Sequence, residues 1–177
     1  MAMTLITTNT PSGAATSDFT SGIDSTYKLY IFKWFDMNPV TDGANLVFQG
    51  NVAGQSGFNE TMTSTSWRVL HMEAGSPEGP EYTDYDQAQG TSYNNLTGNC
   101  GNDNDQCSVG TLHLFNPSNT TYVKHWYCRA QTVISSDGAY SFYTAGYFNV
   151  TGAIDEISFK MSAGNIDEGT IKMYGVG

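Results

Sequence analysis

The sequence predicts an all-β protein: one antiparallel β-sandwich domain of jelly-roll-like build. Three observations predict it. Apolar and polar residues alternate with period two in one stretch after another, the pattern of strands with one buried face. The 177 residues include 19 glycines, 11 tyrosines and 9 phenylalanines, a composition that disfavours helices and favours strands. No apolar period of 3.6 persists beyond a turn or two, so no crossover helix for a parallel sheet is expected. The length suits a single domain with one core.

Residues 1–17 read as an N-terminal arm, a short strand at 4–8 followed by a Thr/Ser/Ala/Gly/Pro-rich linker. Such an arm either docks on a neighbouring subunit or frays. The sandwich domain runs over 18–177. Its strongest strand is 27–35, where Leu29, Ile31 and Lys33 share one face and Tyr30, Phe32 and Trp34 the other. Both faces are largely apolar, so a central strand covered on both sides is expected, with Leu29, Ile31 and Phe32 in the core. Residues 45–49 resume as a strand and 50–57 form a Gly/Asn turn. Residues 66–72 alternate with Trp67, Val69 and His71 on one face. Pro77 and Pro80 make 73–80 a breaker-rich loop, and 81–86 is an acidic, aromatic edge or loop. The stretch 87–96 has room for another strand, and 97–106 is loop.

Residues 108–115 and 121–128 read as a β-hairpin around the turn residues 116–120. Residues 138–150 form a long aromatic strand in which Gly146 marks a bulge or a close backbone approach. Residues 153–177 read as a closing hairpin. Ile157, Phe159 and Met161 alternate with polar neighbours, Ile171 and Met173 do the same, and 162–169 supplies turn residues between them. Those five apolar side chains are expected in the core. The whole gives roughly eight to ten strand candidates, the pattern of a sandwich or jelly roll.

Only 14% of the residues are charged, against about 25% in ordinary domains, so Ser, Thr, Asn and Gly carry solubility. The formal charge of −10 disfavours nucleic acid and anionic membranes as partners, since both demand a positive footprint. No stretch approaches ~18 consecutive apolar residues, so no membrane insertion is expected. The first ten residues lack the basic and apolar regions of a signal peptide, so synthesis in a host cytoplasm is expected. Cys100 and Cys107 flank GNDNDQ, which leaves two states for them, a disulfide across that loop or two thiols. Cys128 is expected as a buried thiol.

No local nucleophile signature such as G-x-S-x-G occurs. His71, His113 and His125 each lie in a strand candidate without a spaced partner, as packed or hydrogen-bonded sheet histidines do. Asp84 and Asp86 are the one acidic pair that would share a strand face, and they read as solvated surface. Residues 102–105 resemble part of a calcium loop but lack its position-6 glycine and distal glutamate, so no metal is assigned to Asp103 or Asp105. No catalytic residue and no cofactor is expected. Tyr82, Tyr85 and Tyr93 stand in polar surroundings, where a tyrosine either covers the sheet rim or stacks on a sugar or partner.

Five stretches carry a resemblance: SDFTSGIDSTYKLYIFKW (17–34), FNETMTSTSWRVLH (58–71), DQAQGTSY (86–93), LHLFNPSNTTYVKHW (112–126) and AIDEISFKMSAGNIDEGTIKMYGV (153–176). In their order they resemble a group of tailed, marine-type bacteriophage virion structural proteins, fibre-like or capsid-decorating. The segment between Cys100 and Cys107 and the run SPEGPEY depart from that group. The resemblance implies a non-enzymatic particle component, a capsid decoration or head-surface protein that docks in multiple copies on other virion proteins as a homo-oligomer, a trimer being one plausible form. It leaves as the alternative a tail or fibre-tip module binding a host receptor or host-surface glycan, and as a remote one a glycan-active enzyme. Partner contacts are expected in the loops 73–86 and 97–107.

Overall fold

The computed structural model describes residues 2–82 and 84–177. Met1 of the expected arm and Thr83 of the expected acidic segment lie outside them. Every regular element among the described residues is a strand: β1 (Met3–Asn9), β2 (Ser17–Phe19), β3 (Leu29–Pro39), β4 (Leu46–Val52), β5 (Met62–Met72), β6 (Pro77–Tyr82), β7 (Asn94–Asn95), β8 (Ser108–Phe115), β9 (Lys124–Ile134), β10 (Gly138–Phe148), β11 (Ile154–Met161) and β12 (Ile166–Val176). They form two antiparallel sheets of unequal size, an eight-stranded one ordered β1-β12-β3-β8-β9-β10-β5-β6 and a four-stranded one ordered β2-β11-β4-β7. The chain is a β-sandwich.

Alternation builds the core. Tyr30, Phe32 and Trp34 of β3, Leu112 and Leu114 of β8, Trp126 of β9, Phe142 and Phe148 of β10, and Ile171 and Met173 of β12 are buried beneath the large sheet. Leu46 and Phe48 of β4 and Ile157, Phe159 and Met161 of β11 meet them from the small one. The rings interlock across the layers, with centroids 4.8 Å apart for Phe48–Trp126, 5.2 Å for Phe19–Phe32 and 5.4 Å for Phe32–Phe159. Each fully buried side chain of this size contributes ~1.5–3 kcal/mol of transfer free energy. The two tryptophans need glycine partners. Gly110 faces Trp34 across β3–β8 and Gly146 faces Trp126 across β9–β10. A Cβ at Gly146 would lie 2.8 Å from the Trp126 ring, so this glycine marks a close approach of ring to backbone.

Four expectations are corrected. The C-terminal strands are not a hairpin: β11 belongs to the small sheet and β12 to the large one, and they face each other across the core. Alternation reports which side chains are buried, not which strand supplies the hydrogen bonds, so an arch between sheets and a hairpin within one read alike. The connection is also shorter than 162–169, since Ile166 already pairs with Pro39 and Glu168 with Asn38. Leu29, expected in the core, is half-buried and lies on the outside of the large sheet. Only one face of β3 is covered by the other sheet; on the other, Ile31 is buried as expected, at 8% exposure, with His113 and Tyr174 as its cross-strand neighbours. Finally, 73–80 is not all loop: Pro77 and Pro80 lie in β6, the outermost strand, where a missing N–H costs no ladder bond.

Residues 3–9 of the expected arm pair with β12 of their own chain and form the opposite edge. The 108–115 strand does pair with β9, through a connection that extends to Val123. One cation is buried in the frame. Lys124 Nζ donates to the carbonyls of Tyr122 (2.9 Å), Thr151 (3.0 Å) and Val150 (3.2 Å), tying that connection to the one after β10. Burial lowers its pKa.

Phe159→Ala removes a ring that touches partners from both sheets. Urea denaturation should show a loss of ~3–5 kcal/mol, while Leu29→Ala on the outer face should cost under about 1 kcal/mol. Equal costs would mean that the outside of β3 is buried too.

Candidate functional site

The three tyrosines singled out in the sequence separate. Tyr82 is 65% exposed, and its hydroxyl donates to Asp86. Tyr85 is half-buried with its ring 5.8 Å from Phe142. Both line a depression of about 240 Å³ with Arg68, Glu81, Asp84 and Tyr140. Arg68 is committed within it: its Nη1 donates to Tyr140 Oη at 2.8 Å, its Nε to Glu81, and its Nη2 lies 3.8 Å from Glu78. These bonds hold β6 on the sheet. Tyr93 lies elsewhere and is half-buried rather than exposed. Its hydroxyl is hydrogen-bonded to Ser158 Oγ at 3.1 Å and its ring sits 4.3 Å below Lys160 Nζ, on the outside of the small sheet. It belongs to a polar cover that includes Gln49 Nε2, which donates to the carbonyls of Glu60, Thr91 and Ser92.

Loop 97–107 borders a depression of about 560 Å³ lined by Asp36, Asn38, Asp105, Gln106, Cys107 and Glu168, among others. Residues 103–106 are closed as a turn by the Gln106 N–H to Asp103 carbonyl bond, 2.9 Å. Among the described residues no group of three His, Cys, Asp or Glu side chains with metal-holding geometry forms. Cys100, Cys107 and Cys128 are free thiols. Burial, with the neighbouring Cys107 second, pushes Cys100 up to about 12. Burial and then Asp36 raise Cys107, and burial alone holds Cys128 well above the thiol range. None is an activated nucleophile.

The feature that sequence reasoning missed is the outside of the large sheet. Reading across strands from β12, one row of cross-strand partners is Lys172, Lys33, Thr111, Arg129, Tyr143 and Trp67. The next is Tyr174, Ile31, His113, Tyr127, Ala145 and Thr65. A third holds Val176, Leu29 and Phe115 on one side and His125, Tyr147 and Thr63 on the other. None of these rows contains a carboxylate, in a chain with 17 of them. All three histidines and three of the seven Lys and Arg residues face this side.

The rings stand in register. Trp67 stacks on Tyr143 (4.1 Å, 5°) and His113 on Tyr127 (4.4 Å, 16°). Burial, then the Lys33 charge, lowers the His113 pKa, which favours the neutral ring that stacks. Beside these pairs the small Ala145 leaves a trough of about 460 Å³ whose walls include Phe115, His125, Tyr127 and Tyr147. Trp67 is 42% and Tyr127 43% exposed. The signal was present in the sequence as the polar-side residues of successive strands, but it emerges only once the strand order is known.

No protein-family model matches the chain, and no curated protein matches it. Among solved structures, a chain from the structure of infectious bursal disease virus, Gt strain, aligns over 96% of this chain and 37% of its own length at 11% identity and a TM-score of 0.22. That of the Gx strain aligns over 96% and 39% at 11% identity and a TM-score of 0.18. The chain spans less than half the length of each. At such scores the likeness carries no argument, and the architecture rests on its own sheet topology.

At pH 8 the native protein should leave Cys100 and Cys128 unmodified by a disulfide-exchange reagent while half-buried Cys107 reacts slowly, and all three should react in guanidinium. Rapid native labelling of two thiols would contradict the burial described.

Proposed function

We propose that this chain is a non-enzymatic structural component of a bacteriophage virion, a head-surface decoration protein docking in multiple copies. The resemblance along most of the sequence supports the particle role, and one observation supports docking: the two edges of the large sheet are protected unequally. At β6 two prolines, Glu78 and Glu81 guard the edge, the usual devices against strand addition. At β1 no strand lies beyond it among the described residues, and Met3 and Leu5 are 47% and 50% exposed. An open edge with exposed apolar side chains suits addition of a strand from an adjoining particle protein. Copies held in this way by a symmetric lattice gain durability from avidity.

The uncovered aromatic face favours a second reading, a tail or fibre-tip module that meets the host surface. The two differ in location, not in chemistry.

Particles reconstructed with the chain located test both. Copies on the head support decoration, copies confined to the tail tip support the second reading, and a chain absent from the particle overturns the proposal. In the first two cases Met3→Lys with Leu5→Lys should empty most sites while Tm stays within a few degrees, since both side chains are exposed. Full occupancy would rule β1 out as the docking edge.

A further inference from the structure

We propose that the outer face of the large sheet binds an acidic polysaccharide, its chain crossing the strands along the row from Lys172 to Trp67 beside the Ala145 trough.

Charge comes first. Lys33 and Lys172 are directly opposed cross-strand partners, an arrangement that destabilises a sheet. Among the described residues no carboxylate pairs with Lys33, Lys172 or Arg129, although Arg68 at the β6 edge holds two. An acidic chain thus leaves three cations uncompensated on one face. Lys172, Lys33 and Arg129 lie on β12, β3 and β9, so the row spans about 14 Å at the usual strand spacing. A linear polyanion fits such a row. A second copy of this chain laid face to face does not, because cations would meet cations.

Aromatic placement selects a saccharide over an acidic protein or a nucleic acid. Each cation stands at a ring: Lys33 Nζ is 5.9 Å from the Tyr174 centroid, Lys172 Nζ 5.8 Å from Phe35, and the Arg129 guanidinium 5.4 Å from Tyr143. A pyranose bearing a carboxylate or sulfate offers an apolar C–H face to the ring and an anion to the cation at one step of the chain. The trough over Ala145 gives it a cleft with an apolar floor, walled by Tyr127 on one side and Tyr147 and His125 on another. A protein carboxylate needs the cations alone. Duplex DNA needs a denser array than three charges, on a protein whose remaining surface repels it.

The inference does not rest on the particle location, and its failure leaves the incorporation experiment untouched. The test uses the full chain with polygalacturonate, dextran sulfate, neutral dextran, poly-glutamate and duplex DNA in calorimetric titration. Binding of polygalacturonate or dextran sulfate, with neutral dextran inert, is expected, and the tighter of the two identifies the acid group. Arg129→Gln should weaken it at least about tenfold. Lys33→Gln with Lys172→Gln should weaken it further while leaving the unliganded Tm equal or higher, since the opposed charges are gone. Ala145→Trp, which fills the trough and keeps every cation, should also abolish binding. Absence of binding to either acidic polysaccharide, equal binding of neutral dextran, binding of poly-glutamate or DNA as tight as the polysaccharide, or a folded Ala145→Trp variant that binds unchanged would each overturn the proposal.

Discussion

The sandwich depends on the interlock of Phe48 and Phe159 from the small sheet with Phe32 and Trp126 from the large one. Four strands cannot present the area of eight, so the largest side chains concentrate where the layers overlap. Gly110 and Gly146 then let the two indoles lie against backbone, and Leu96, Ala44 and Ile23 from connecting segments fill the margins. The same inequality fixes what each sheet shows to solvent. The small sheet is wrapped on its outside by the chain's own polar segments, through Gln49, Ser158 and Tyr93. The large sheet is left bare on its outside.

Much of this architecture was legible. Alternation located β8, β9, β10 and both C-terminal strands because each buries one face, and the buried set Phe159, Met161, Ile171 and Met173 follows from it. What was not legible is membership. β11 and β12 alternate in step, and only the strand partners decide that one faces the other across the core. β3 shows the same limit, since Leu29 and Ile31 are as apolar as Phe32, and the sequence holds no mark of which side receives the second sheet. For β6, the prolines that argue against a strand are tolerated because it is an edge. The candidate face was the least legible feature, since its rows are assembled from six strands whose order in the sheet departs from their order in the chain.

Negative charge on this protein is placed, not spread. Carboxylates stand in the connections, in β11, at the ends of β3 and β12 away from the three rows, and at the β6 edge, where Glu78 and Glu81 pair with Arg68. The three rows that run from Lys172, Tyr174 and Val176 across the sheet have none. Folding alone does not call for such a distribution. A glutamate opposite Lys33 would relieve a like-charge pair and add ~0.2–1 kcal/mol, and polar replacements for Trp67 or Tyr127 would remove exposed apolar surface. A face that keeps opposed lysines and exposed rings together forgoes stability that simple substitutions would supply, as sites shaped for a ligand do.

The separation of edges from faces lets one small domain carry two kinds of contact. Strand addition at β1 uses backbone groups in the plane of the sheet, whereas the aromatic rows project from that plane. A neighbour joined at β1 would therefore extend the sheet and bring its own surface alongside Tyr174 and Leu5 without covering Arg129, Tyr127 or Ala145, which lie four or five strands away in the order of the sheet. Anchoring and ligand capture would then proceed on the same molecule without competition. Every added copy would enlarge the array of cationic, ring-lined rows, so that weak single contacts along an extended polyanion multiply into firm attachment.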